Sequence, residues 1–190
     1  MSNENKPFGL KPVRHNSGGE LRTNEYPIAV GYTTAIYRGD LVEMANDGTI
    51  AAAAAQNADN LGVFWGCEYI DPTGSKKFSP YWPGTASCTS IKAQVYDDPN
   101  IIFQIQSDAT GFAAADVGQL VDIEYVAGDT KTGISKVNAD VSAGTATTNM
   151  TLRLLRLVDD GVNAAGAYSV GEVAIIEHVM RPNVAAVGGI

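Results

Sequence analysis

The sequence predicts an all-β protein: a compact sandwich or small barrel of short antiparallel strands, with an extended N-terminal arm and little helix. Three observations carry this expectation. Short apolar–polar alternations recur between turn signals from about Tyr26 onward. Of 190 residues 45% are apolar, enough for a core, while only 18% are charged, and Gly, Ala, Thr, Ser and Asn fill the place of charge as strand and turn compositions do. Only residues 110–117, with Ala113, Ala114 and Ala115, read as one or two turns of helix before Gly118.

In chain order, residues 1–26 hold Pro7, Gly9, Pro12, Gly18 and Gly19 among few aliphatics and read as the arm. Residues 27–180 form the β-rich body and residues 181–190 a C-terminal tail ending in Gly188-Gly189-Ile190. Residues 41–44 and 49–51 flank Asp47-Gly48 and read as a hairpin with a strong Asp-Gly turn. Residues 61–70 form a long apolar strand broken by Gly62 and Gly66, where a bulge or a close backbone approach is expected. Ile91, Ala93 and Val95 alternate with polar residues, Asp97-Asp98-Pro99-Asn100 turns, and Ile101, Phe103 and Ile105 alternate on the way back; this reads as a second hairpin. Val121, Ile123 and Tyr125 mark a half-buried strand. In residues 151–158 the period slips between Leu154 and Leu155, which a bulged strand accommodates. His178 is expected in the last strand, on the face of Glu172, Ala174 and Ile176, at a surface or interface position. Strand order is not readable, so sandwich and barrel both stay open.

Charge and cysteine usage narrow the function classes. The net charge is −8, which argues against duplex nucleic acid or an anionic membrane as partner. Through Arg38 the chain carries +2 and the rest −10, so a mildly basic arm precedes an acidic body. The start, residues 1–6, is polar and has no apolar segment behind it, so no signal peptide is expected. No apolar run approaches the ~20 residues of a membrane span. Cys67 and Cys88 match no metal spacing and read as small buried thiols.

Chemistry is sparse. Ala167-Tyr168-Ser169-Val170-Gly171 lies one residue from a nucleophile elbow, but that elbow needs a strand-to-helix turn in a large α/β sheet. A hydrolase using Ser169 and His178 is the enzymatic alternative, and no enzyme is expected. Asp97, Asp98 and Asn100 offer clustered oxygens of the kind calcium takes, without EF-hand spacing; no cofactor or metal is expected. Aromatics gather in Phe64, Trp65, Tyr69, Phe78, Tyr81 and Trp82. Phe64 is expected in the core; Tyr81 and Trp82 read equally as part of a core cluster packing across two strands or, if exposed side by side, as a surface for sugar stacking or a protein interface. That gives a second, non-structural reading: a tail or fibre module binding host carbohydrate.

Two passages together resemble the small β-module of capsid decoration (cement) proteins of tailed bacteriophages: Tyr37-Arg38-Gly39-Asp40-Leu41-Val42-Glu43-Met44 with Asp47-Gly48-Thr49-Ile50 and Leu61-Gly62-Val63, and the opening Pro7-Phe8-Gly9-Leu10-Lys11-Pro12-Val13. Gly118-Gln119-Leu120-Val121-Asp122-Ile123 and the run 128–135 are similar in kind. The resemblance spans about two thirds of the chain and brings no catalytic residues. It implies a protein made in the host bacterial cytoplasm and placed on the outer surface of the virion head. There it would bind the major capsid protein, associate with itself as a homotrimer, and tie neighbouring capsomers together. Interface residues expected on this reading are Pro7, Phe8, Leu10, Lys11, Arg14, Arg22, Tyr81, Trp82 and His178. Removal of residues 1–25 is expected to leave a folded body that no longer decorates heads.

Overall fold

The structure, a computed structural model, describes residues 3–53, 60–142 and 150–181. Its strands are β1 (Lys11–His15), β2 (Asn24–Pro27), β3 (Leu41–Met44), β4 (Ile50–Ala52), β5 (Asn60–Ile70), β6 (Lys76–Ser79), β7 (Thr89–Tyr96), β8 (Ile101–Gln106), β9 (Leu120–Glu124), β10 (Asn138–Asp140), β11 (Leu152–Leu157) and β12 (Val170–Ile175). They form two antiparallel sheets. The first runs β1-β8-β12-β11-β9-β10; the second runs β2-β7-β5-β3-β4, with β6 also paired to β5. The all-β expectation holds, and the two packed sheets make it a sandwich. Residues 110–117 contain only a 3-10 turn at Ala114–Asp116, ended by Gly118 at φ +89°.

The middle of the second sheet, β3 and the start of β5, is buried on both faces. The sheet's inner face gives Leu41 and Val63 to the core shared with Ile101, Phe103, Ile105, Val121, Leu152 and Val173 of the first sheet. Its outer face carries Val42, Leu61, Phe64, Cys67, Ile91, Ala93 and Val95, covered by Ile28, Ile36, Trp82 and Cys88 from the connecting segments. Two bulges in β5 make this possible. Strict alternation would put Leu61 and Val63 on one face. The pairing with β3 slips between Val42 and Glu43, so Leu61 joins Phe64 outside while Val63 turns inward. A second slip, where Phe64 opposes Val95 and Gly66 opposes Gln94, leaves Trp65 as the extra residue of a bulge. Both lie at the glycines where an interruption is expected. At Gly62, φ is +155° and a Cβ would sit 2.0 Å from the carbonyl oxygen of Tyr96.

The Asp47-Gly48 hairpin forms as expected. Gly48 takes φ +79°, its N–H donates to the Ala45 carbonyl, and Asp47 accepts from the N–H and hydroxyl of Thr49. The bulge in β11 also forms, between Leu154 and Arg156.

The second expected hairpin does not form. β7 and β8 are both strands, but they belong to different sheets, and Asp97-Asp98-Pro99-Asn100 is a corner between them. Neighbouring acids are drawn opposite ways. Asp97 accepts from Asn24 and Tyr26 of β2, in the second sheet. Asp98 pairs with His15 of β1, in the first, at 3.0 Å. The alternation in β7 reports its one buried face, whereas β8 is buried at five of its six positions; neither pattern carries information on which strand lies alongside.

Within the first 26 residues, expected as an arm, β1 pairs with β8 and β2 with β7. Leu10 is fully buried in the shared core. Deleting residues 1–25 would therefore remove β1, half of β2 and the partner of Asp98, and would not leave the body intact as the sequence suggests. Most of the tail, residues 182–190, lies outside the described residues.

Gly62→Ala is expected to destabilise the protein by about 3 kcal/mol or more, because strained backbone and a clash with main chain coincide. Gly18→Ala, at φ +80° with nothing within 4 Å of the added carbon, is expected to cost about 1 kcal/mol. Urea unfolding of the two variants checks the contrast.

Candidate contact surface

The passages Pro7–Pro12 and Tyr37–Met44 meet in space. Tyr37-Arg38-Gly39-Asp40 forms a turn closed by the Asp40 N–H on the Tyr37 carbonyl at 2.9 Å, with Gly39 at φ +95° in its third position. From this turn the chain is tied in several directions. Leu10 N–H donates to the Gly39 carbonyl at 2.8 Å, Gly39 N–H to Phe64, Phe64 N–H to Asp40, Arg38 N–H to Gly133, and Ser135 N–H to Arg38. The approach requires a glycine on the first passage: a Cβ on Gly9, at φ +71°, would lie 2.6 Å from both the Gly39 carbonyl and the Ser135 side chain.

Asp40 is fully buried beneath this turn. One carboxylate oxygen accepts the Tyr37 N–H at 2.8 Å and lies 3.5 Å from the Tyr125 hydroxyl, and Ser135 lies beside the carboxylate. Burial pushes its carboxyl up to about 6, against the donors Ser135, Tyr37 and Tyr125, which draw it down. Tyr37 itself stacks on Tyr81 with centroids 5.5 Å apart and rings 6° from parallel.

Arg38 comes out of the turn onto Trp65. Its Nε donates to the Trp65 carbonyl at 3.1 Å and its guanidinium carbon lies 4.9 Å from the indole centroid. The β5 bulge puts Trp65 there, and the ring meets Tyr96 edge-on at 5.3 Å. This pair lines two neighbouring open lobes, together termed the groove. A lobe of about 370 Å³ is lined by Phe8, Leu10, Trp65, Ile134, Val158 and Val170, with Lys11, Arg38, Gln104 and Asp160 as its polar members. A second lobe of about 420 Å³ is lined by Phe78, Ser79, Pro80, Glu68 and Gln94. Phe78 is 75% exposed.

Of the residues expected at an interface, Phe8 and Lys11 line this groove, whereas Leu10, also expected there, has its side chain fully buried in the inter-sheet core beneath it. Pro7 is half-buried, and Arg22 is exposed beside Glu20. Arg14 is bound to the buried Glu172 at 2.9 Å, which Arg156 also holds, at 2.6 Å. Tyr81 is half-buried against Tyr37. Two further expectations are corrected. Trp82 is fully buried, donates Nε1–H to the Tyr32 carbonyl and meets Tyr69 edge-on, so Tyr81 and Trp82 do not form an exposed pair. His178 lies beyond β12 rather than in it and is buried, with Nδ1 accepting the Met180 N–H. Its desolvation lowers the imidazole to about 4, with Arg181 adding to the effect. Ser169 is also sealed in, its hydroxyl taken by Phe112 N–H and lying 3.4 Å from that of Ser107. The Asp97 and Asp98 oxygens face protein donors, and no metal-ligating cluster occurs among the described residues.

Sequence reasoning missed Arg38 and Trp65 as partners. Trp65 sits beside core Phe64, so it had to face elsewhere, but only the bulge fixes where. No protein-family model, no curated protein and no solved structure matches this chain.

Asp40 and His178 make opposed contributions to pH dependence. The Asp40 carboxyl is raised above its unfolded value of 3.8, so its stabilising contribution is full below about pH 4 and is lost as pH rises through about 6. The His178 contribution is full above 6.5 and is lost as pH falls through about 4. Asp40→Asn removes the first alone. Relative to the natural protein, the variant is expected to gain about 2 kcal/mol between pH 4.5 and pH 7.5. Paired urea titrations at the two pH values measure this; a pH-independent difference contradicts the burial of an ionisable Asp40.

Proposed function

We propose that this protein is a structural protein of a tailed-phage head, binding the outer surface of the shell and tying neighbouring capsomers together. The observation that carries the reading is the 2.8 Å bond between Leu10 N–H and the Gly39 carbonyl. The two passages resembling decoration proteins are far apart in sequence, yet they pack on each other as one unit. The residues they send outward, Phe8, Lys11 and Arg38, line an open groove. Such a groove suits adhesion, and the side chains suited to nucleophilic chemistry, Ser169 and His178, are buried and bonded to other groups.

The body also suits a passive load-bearing part. Two cores, one on each side of the second sheet, resist shear through many packed contacts rather than one. On this reading the protein binds the major capsid protein and associates with itself as a trimer, where several modest contacts act together around the symmetry axis.

Co-sedimentation with expanded heads purified without the protein tests the proposal. Saturable binding at a fixed number of copies per head, with heads surviving heat or chelator treatment longer once decorated, is expected. Failure to sediment at any concentration overturns it.

A further inference from the structure

We propose that the groove lined by Arg38 and Trp65 is a docking site for an extended peptide segment of a partner protein, one that sets a carboxylate beside an aliphatic side chain. For the identity of that partner the inference rests on the shell-binding role above; for the chemistry of the segment it rests on the groove.

Charge complementarity fixes the carboxylate. The chain carries a net −8, and seven of its thirteen basic side chains, Lys6, Arg14, Arg22, Lys76, Lys77, Lys92 and Arg156, pair with an acid within 4 Å. Of the six with no such pair among the described residues, only Arg38 and Lys11 line the groove. Arg38 is also held in advance. Its Nε is committed to the Trp65 carbonyl and its plane to the indole, while its terminal nitrogens have no protein partner among the described residues. A guanidinium fixed this way loses little freedom when it takes a carboxylate in two-point fashion. Of the acids nearby, Glu68 pairs with Lys76 at 2.9 Å, while Asp160 accepts from the N–H groups of Val162 and Asn163 and keeps its negative charge.

The lobes fix the rest. The 370 Å³ lobe has a wall of Phe8, Trp65, Ile134, Val158 and Val170, the lining an aliphatic side chain seeks. The second lobe shares the Arg38–Trp65 pair and reaches Phe78. A site whose anchoring cation lines two open lobes accepts a chain running through both better than a compact molecule held in one. Trp and Arg at the centre of such a surface are the residue types that dominate binding energy elsewhere.

The test is an NMR titration of the full chain with blocked hexapeptides (N-acetylated, C-amidated) that place Asp next to Leu, Ile, Val or Phe, and with their Asn counterparts. The chain has two tryptophans, so the two indole N–H resonances report separately: Trp65 in the groove and Trp82 in the second core as an internal control of folding. Saturable movement of the Trp65 resonance is expected with Trp82 unmoved, together with binding at least about tenfold weaker for the Asn peptides. Lys11→Gln, an exposed change that leaves the fold untouched, and Arg38→Gln are each expected to weaken the Asp peptides and to leave the Asn peptides unchanged. No movement of Trp65 with any peptide, or equal binding of Asp and Asn forms, overturns the proposal. So does octanoate binding as tightly as the best peptide, which would make the groove a site for small amphiphiles. If heads bind the Arg38→Gln protein as well as the natural one, the site falls and the shell-binding role stands. If peptides bind and heads do not, the role falls and the site stands.

Discussion

The backbone crossing at Gly9 and Gly39 is the constraint on which the arrangement depends. Two main chains approach closely enough that a Cβ on Gly9 would meet the Gly39 carbonyl and Ser135 at 2.6 Å, and one on Gly39 would meet the Phe8 carbonyl at 3.0 Å. From that contact follow the burial of Leu10 in the inter-sheet core and the strand β1 that begins at Lys11. The docking of β5 through Phe64 and the closure of the loop at Gly133–Ser135 follow as well. The same turn buries Asp40 and sends Arg38 outward, so core geometry and groove chemistry have one origin. Hydrogen bonds of this kind each contribute modestly, but a buried main-chain group left without a partner costs more than the bond is worth; a crossing with five such bonds is therefore all-or-none.

Burial of the middle of the second sheet on both faces accommodates the composition. A chain with 45% apolar residues and only 18% charged has more apolar surface than one inter-sheet core can hold. The excess lines the second core, where segments without regular structure, carrying Ile28, Ile36, Trp82 and Cys88, act as a third layer. This is also why Trp82 is unavailable at the surface. Burial pushes the Cys67 thiol up to about 12 and its Sγ lies 3.4 Å from the Tyr81 carbonyl, as expected of an inert core thiol.

Most strands were legible because alternation and turn chemistry are local. The Asp47-Gly48 hairpin, the bulges at Gly62, Gly66 and Leu155, and core Phe64 all follow from residues within a few positions of each other. Pairing between distant segments was not legible. The Asp97–Asn100 turn reads as a hairpin because nothing within it shows that Asn24 and Tyr26 hold one acid while His15 holds the next. The first 26 residues look unstructured for a related reason: their strands are short, interrupted by Pro12 and Pro27, and stable only against β8 and β7. In the site, Phe8 and Lys11 were legible through the motif that contains them. Arg38 and Trp65 were not linked, because a bulge 27 residues downstream of Arg38 brings them together.

The central claim is that residues 8–11 and 37–40 form one cooperative unit rather than an arm resting on a body. Native-state hydrogen exchange at the amides of Leu10, Gly39 and Phe64 tests it most directly. The account predicts that all three exchange only through global unfolding, with the same free energy as the core of β5 and the same denaturant dependence. Exchange of Leu10 through a local opening of near-zero free energy, with Phe64 still protected, would contradict it.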